Sequence, residues 1–370
     1  MTTYELIGLI FAAAGIVTLA ALAYEAIRHR TLDLAYLPLT SLCLVAVRVM
    51  AGGLFFFSGF VKANDYTGFA YKLEEYFYVF AGQMPALSGF FRFFIPWAGP
   101  LAWFISVFEM ALAVAILLGW RMRLTAWLTM LMMIFFTVLT AYSHVTGAVT
   151  DCGCFGDALK LKPFESFLKD VILTGMLIPL FLVRGSVKPV PSARAAGIAT
   201  LAVFVLTGAY SWYCHEHLPV VDYLPYKKGV DLRRCTTEDG PEGIPKCKDF
   251  YPSFSGEEID LFEGRVMLMV IYKAQAAPAA ALDAAGALIA GLQGSGVQPV
   301  FLTSSDPAIH EQLVWTHGLA CPVGYMDETV LKTMIRSNPG FLLLRDGVVL
   351  EKWHYNDAPD AEAVKRLAGN

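Results

Sequence analysis

Up to about residue 214 polar positions are sparse, and from about 264 they return at regular intervals. The first part breaks into six apolar segments, near 4–27, 35–61, 99–120, 123–145, 167–184 and 196–214. Each approaches the roughly 20 residues that a helix needs to cross a hydrocarbon core. Between the second and third lies 62–98, which is studded with aromatics such as Tyr76, Phe77, Tyr78, Phe90, Phe91 and Trp97. This stretch is too apolar for a free loop and too broken for a crossing. It is expected to lie in the membrane interface with Lys72 and Arg92 toward the headgroups, or to act only as an anchoring aromatic belt.

The later part alternates between two periods. The run 265–272 (RVMLMVIY) predicts a strand buried on both faces. An alanine-rich helix from Pro278 to about 292 follows, then a strand over 297–303 and helices near 307–317 and 327–337, the second capped by Asp327. Strands 341–345 and 348–353 flank Asp346-Gly347, a type I′ hairpin signal, and a helix over 360–367 closes the chain. This β-α-β-α-β-β-α order resembles the thioredoxin pattern. That resemblance places Pro339 of Asn338-Pro339-Gly340 at the position of a cis proline facing the active-site turn. The matching turn, Lys273-Ala274-Gln275-Ala276-Ala277-Pro278, has no cysteine. Without a thiolate there, the usual exchange chemistry is closed to it.

Composition agrees with this division. Of 370 residues 56% are hydrophobic and only 16% charged, which signals a polytopic membrane protein. The expected organisation is a transmembrane domain over 1–214, a linker over 215–255 and an α/β domain over 256–370. A net charge of −4 without a basic tract leaves no footprint for nucleic acid. Arg28, His29 and Arg30 follow the first segment, Arg121 and Arg123 the third, and Arg184, Lys188 and Arg194 the fifth. By the positive-inside rule both termini and the α/β domain lie outside the cytoplasm, as in a bacterial inner-membrane protein with a periplasmic tail. Ala21-Leu22-Ala23 imitates a signal-peptide cleavage site, but the basic cluster follows the apolar run instead of preceding it.

Charges inside the apolar segments narrow the search for chemistry. Arg48 falls within the second segment and Glu109 within the third. They are expected to face each other or a polar cavity, either as a packing ion pair or as part of a proton or ligand path. Lys62, Asp65 and Lys72 are placed at the outer face, Lys62 and Asp65 within reach of water by snorkelling.

Cysteines carry the sharper signal. Of seven, Cys43 sits among Leu and Val as a small hydrophobe. Cys235 and Cys247 flank a Gly/Pro-rich loop and are candidates for a structural disulfide. Cys214-His215-Glu216-His217 has metal-ligating residue types but lacks a fourth ligand and the usual spacing, so no metal site is assigned. Cys152-Gly153-Cys154 stands alone as a closely spaced pair. A bridge across one glycine is strained and therefore more oxidising than a structural one. Asp151 and Asp157 beside it raise the thiol pKa, whereas His144 or Lys160, if close in the fold, lowers it. Metal binding, or pairing elsewhere with Cys214, are the competing readings.

Taken together, Ser58-Gly59-Phe60-Val61-Lys62-Ala63-Asn64-Asp65, Lys72-Leu73-Glu74-Glu75-Tyr76, the 151–157 segment, His217-Leu218-Pro219 and Asn338-Pro339-Gly340 resemble the DoxX/MauE-like membrane proteins. The resemblance is to those of the Bacteroidetes that carry a thioredoxin-like extension, and it covers nearly the whole chain. It implies a part in disulfide maturation of secreted proteins. The bundle is also similar to the quinone-linked thiol oxidases related to vitamin K epoxide reductase. Two readings follow. In one, Cys152 and Cys154 are the catalytic pair of a thiol-disulfide oxidoreductase acting on envelope protein thiols, with a membrane quinone as candidate electron acceptor and Cys214 or Cys321 as candidate resolving thiol. In the other, the protein is a non-enzymatic scaffold or accessory subunit whose tail binds an envelope or membrane-complex partner.

Overall fold

The computed structural model describes residues 3–149, 153, 155–238, 245–254 and 259–369. Asp151, Cys152 and Cys154 lie outside the described residues. The chain forms two compact units, Met1–Trp212 and Tyr213–Asn370.

The first unit is a helical bundle built from α1 (Thr3–His29), α2 (Pro38–Asn64), α3 (Tyr66–Gln83), α4 (Ser88–Phe94), α5 (Ala98–Leu118), α6 (Met122–Thr146), α7 (Pro163–Leu182) and α8 (Ala193–His217), whose last turns belong to the second unit. Among the described residues five helices are long and apolar enough to cross a membrane: α1, α2, α5 with the turns leading into it from Pro85, α6 and α8. The expected fifth segment, near 167–184, forms α7, which is set apart by Glu165, Lys169 and Asp170.

Small residues let α2 and α5 approach closely, as lipid-embedded helices require. A Cβ on Gly52 would lie 2.6 Å from Leu117 Cγ, and one on Gly59 would lie 2.9 Å from Met110 Cγ. Polar side chains tie helix ends that the sequence leaves uncapped. Leu37 offers α2 no side-chain cap. Glu25 of α1 instead accepts from the Leu39 and Thr40 amides at 2.9 and 2.8 Å and from Thr40 Oγ1 at 2.7 Å. A carboxylate suits the positive end of the α2 dipole.

The aromatic stretch 62–98 is more deeply integrated than an interfacial segment alone would be. Tyr66, Phe69, Leu73 and Tyr76 of α3 form one buried cluster with Ala98 and Ala102 of α5 and Phe136 and Leu139 of α6. Tyr76 Oη and Ser143 Oγ share a hydrogen bond of 2.7 Å. The four apolar positions of α3 recur at helical spacing, so one face is buried while Tyr78 stays exposed.

The second unit contains α9 (Leu232–Thr237), β1 (Ser253–Phe254), β2 (Arg265–Ile271), α10 (Ala279–Leu292), β3 (Gln298–Thr303), α11 (Pro307–His317), β4 (Val323–Tyr325), α12 (Glu328–Met334), β5 (Gly340–Arg345), β6 (Val348–His354) and α13 (Ala361–Ala368). The six strands form one mixed sheet in the order β1-β4-β3-β2-β5-β6. β2 runs parallel to β3 and antiparallel to β5, and β1 and β6 close the edges in antiparallel sense. Period-two alternation divides β2 between two cores: Val266, Leu268 and Val270 face one, Met267, Met269 and Ile271 the other. Asp346 and Gly347 both have positive φ, 49° and 79°, as the type I′ hairpin requires.

The 215–255 segment is not a bare linker. Tyr226, Leu232, Cys247 and Phe250 are buried in the same core as Leu268 and Leu342. The Cys235–Cys247 disulfide anchors this segment. Its apolar residues are scattered without period, so their role in the core is invisible until the sheet is in place.

Candidate functional site

The bundle buries a compact set of opposite charges. Lys62 Nζ lies 2.7 Å from Glu109 Oε2, with side-chain exposures of 2% and 5%. It also donates to Ser58 Oγ at 2.8 Å, and lies 4.7 Å from the centre of the Phe136 ring and 5.4 Å from that of Phe69. On α7, Lys169 Nζ is 2.5 Å from Asp170 Oδ1, and the Asp170 side chain is 1% exposed. Thr140 Oγ1 of α6 donates to Asp170 Oδ2 at 3.0 Å. Both ion pairs line one cavity with Ser58, Phe136, Met133 and Leu173. At about 10 Å³ it sits at the lower limit for a single water. Two cations and two carboxylates cancel, which is how apolar surroundings tolerate four charges. A site of this size has no room for a substrate.

This geometry corrects two expectations. Lys62 was expected at the outer face, within reach of water; α2 runs on to Asn64 and buries it. Arg48 was expected to face Glu109 or a polar cavity. Its Nε donates instead to Ile116 O at 3.0 Å and its Nη2 to Leu117 O at 2.6 Å, at the carboxyl end of α5. Planar donors at a negative helix terminus replace the ion pair. Sequence reasoning passed over Lys169 and Asp170. The signal was an adjacent Lys-Asp pair inside an otherwise apolar run.

The remaining polar candidates spread around this cluster. Asp65 caps α3 by accepting from the Gly68 amide at 2.9 Å. Lys72 pairs with Glu75 at 3.0 Å, and Asp157 with Lys160 at 3.4 Å. His144 stacks on Phe167 with ring centres 6.1 Å apart.

Gly153, between the two cysteines of the 151–157 segment, is described, with φ of +66°. The left-handed φ favours glycine, and a Cβ there would lie 3.1 Å from Lys72 Cγ and 3.9 Å from Phe69 Cδ2, so the loop sits against both side chains. Phe155 is buried, with its ring 5.6 Å from that of Phe57 and Lys169 Nζ 5.1 Å from its centre. Phe69 and Lys169 thus touch the loop on one side and the buried charges on the other.

In the second unit the Asn338–Pro339 peptide is cis. Asn338 faces the turn after β2: its Nδ2 donates to Lys273 O at 2.7 Å, and its Oδ1 accepts from the Lys273 amide at 3.4 Å. The Ala274 amide donates to Ser305 Oγ at 3.2 Å. This turn is closed by side-chain amide and hydroxyl bonds. Burial pushes the Cys321 thiol up to about 12, which makes it a poor thiolate. Among the described residues no group of three or more His, Cys, Asp or Glu is placed to hold a metal ion.

No curated protein matches the chain. Residues 39–183 match the family model described as methylamine utilisation protein MauE. The match runs from the first turn of α2 to the residue after α7, and so contains every member of the buried charge cluster together with the 151–157 loop. Over residues 39–183 the helical bundle is therefore similar to the MauE family, and the chain continues into a C-terminal α/β domain.

Proposed function

We propose that the protein acts in thiol-disulfide exchange in the cell envelope, with Cys152 and Cys154 as the exchanging pair. The observation that carries this reading is the seating of their loop. Gly153 packs on Lys72 and Phe69 of α3, Phe155 on Lys169 of α7, and Gly156 next to Val61 of α2, the residue before the buried Lys62. In the reaction a client thiolate attacks the Cys152–Cys154 disulfide and forms a mixed disulfide. A second client thiolate resolves it, leaving an oxidised client and a reduced pair. Reoxidation sends two electrons and two protons to a membrane quinone, and the buried charges provide for a proton beside the loop.

Six crossings with both termini periplasmic form part of the same reading. α7 completes the six, because Lys169 neutralises Asp170 inside it. We read the α/β domain as thioredoxin-like from its mixed sheet and from cis-Pro339 beside the β2–α10 turn. The closed turn without cysteine favours a docking role for this domain rather than catalysis. It would bind clients that the pair then oxidises. In an accessory-subunit reading the same domain binds a partner and the loop is merely structural.

Acid-quenched alkylation in cells tests the choice between them. Exchange predicts that Cys152→Ser traps a client through Cys154, or the converse, and that the double serine variant accumulates reduced envelope proteins. A pair oxidised under all conditions, together with intact envelope disulfides in the double variant, would sink the exchange reading and leave the accessory one.

A further inference from the structure

A second cavity opens at the end of the bundle where α5 and α7 finish and α6 and α8 begin. It has a volume of about 890 Å³, within the usual range of ligand sites. Arg121, Arg123, Arg184 and Arg194 line it, and among the described residues none of the four forms an ion pair with a carboxylate. Their walls differ from their charge: Met122, Leu124, Ile198 and Leu201 line the same space.

The turn that presents two of the arginines is rigidly built. The Trp120 amide donates to Ala115 O at 3.0 Å, Thr125 Oγ1 donates to Trp120 O at 2.7 Å, and Arg121 takes a left-handed φ of 41°. Arg184 is fixed at the far wall, with Nη1 donating to Phe181 O at 2.5 Å and its guanidinium 4.1 Å from the Phe181 ring centre. Arg123 and Arg194 are exposed, and among the described residues neither forms an ion pair.

The cleft also has an apolar continuation. α8 meets α5 and the turn after it at two notches. A Cβ on Gly197 would lie 2.7 Å from Trp120 Nε1, and one on Gly208 would lie 3.1 Å from Trp103 Cζ2. Eleven residues separate the notches, about 16 Å along the helix. Between them Ile198, Leu201 and Val205 of α8 stay exposed. A soluble anion would use only the arginines. A molecule with a phosphate head and hydrocarbon tails uses both parts.

We propose that this cleft is a binding site for an anionic phospholipid, its phosphodiester held by the arginines and an acyl chain laid along α8 between Trp120 and Trp103. Basic pockets between transmembrane helices recognise such headgroups.

The test uses the purified full chain in neutral detergent. Phosphatidylglycerol and phosphatidylcholine of identical acyl chains are titrated separately and followed by native mass spectrometry, with inorganic phosphate as a third arm. One phosphatidylglycerol per chain is expected to be retained in preference to phosphatidylcholine. Arg123→Gln with Arg194→Gln should weaken that retention and with it the preference for phosphatidylglycerol. These two side chains hold no helix end, so the variant keeps the bundle. Equal retention of the two lipids by the unaltered chain would overturn the proposal without any variant. So would unchanged phosphatidylglycerol retention in the double variant, or displacement of the lipid by millimolar phosphate.

Discussion

Lys62 and Glu109 meet 2.7 Å apart across α2 and α5, both withdrawn from solvent. Lone charges in this place are expensive, so the two residues stand or fall together. Lys62→Met leaves Glu109 buried without its cation, and Glu109→Leu does the reverse. Each is expected to cost about 3–5 kcal/mol, whereas Lys62→Met with Glu109→Leu recovers most of the loss. Thermal unfolding of the full chain in detergent reads the three variants. If the double variant is stable yet loses client trapping through Cys152 or Cys154, the pair serves chemistry as well as packing. Three equal destabilisations would refute the coupling.

Arg48 carries a separate prediction, since it holds the end of α5 and no carboxylate. Its two hydrogen bonds to Ile116 O and Leu117 O come from one planar group. Arg48→Leu is expected to lower stability by about 1.5–3 kcal/mol, the range for hydrogen bonds made by a charged group. Arg48→Lys should recover only part, because an ammonium lacks the fork that spans both carbonyls. Arg48 and Glu109 substitutions should add, and a double-mutant cycle measures this. A coupling well above about 0.5 kcal/mol would contradict the separation found here.

The patterns that were legible in the sequence were the periodic ones. The apolar β-rich run of β2 and Asp346-Gly347 between β5 and β6 follow from local chemistry, so their places could be read directly. β1 and β4 could not, because two or three residues show no period. Pairing inside the bundle was harder still. Arg48 and Glu109 both fall mid-segment, yet which cation meets Glu109 depends on helix rotation and on how far α2 extends. Lys62 is one residue past the expected end of its segment, and that one residue changed its reading from wet to buried. The 215–255 segment was obscure for a different reason. Tyr226, Leu232 and Phe250 are core residues only because β2, β5 and α12 offer them a surface.

The Cys235–Cys247 disulfide joins α9 to the following segment across 12 positions. Cys247 is buried in the core and its amide donates to Cys235 O at 3.1 Å. Closing a loop of this length removes unfolded-state entropy worth about 3 kcal/mol. Cys235→Ser with Cys247→Ser is therefore expected to lower the unfolding temperature of the C-terminal domain while leaving the bundle transition in place. Differential scanning calorimetry of the full chain separates the two transitions. Exchange by Cys152 and Cys154 should persist in this variant, since the bridge belongs to the fold of another unit.

His354 gives the C-terminal domain a pH dependence. It is 3% exposed at the end of β6. Burial, aided by His215 and His217 and opposed by Asp357, lowers its pKa to about 4. Its Nδ1 accepts from the Asn356 amide at 3.2 Å, a bond that needs the unprotonated nitrogen. In the unfolded chain the imidazole takes its ordinary value near 6.5. Between these values the unfolded state binds more protons than the folded one, so stability rises with pH through the window. The contribution is complete above about 6.5 and is lost as pH falls toward 4. His354→Gln keeps an acceptor for Asn356 but cannot titrate. Unfolding temperatures of the full chain at pH 7.5 and 5 should therefore differ more for the unaltered protein than for this variant. The nearby His217–Asp357 contact, 2.9 Å long, is common to both proteins, so the difference isolates His354. Equal pH responses would show that the ring is solvated in the folded state.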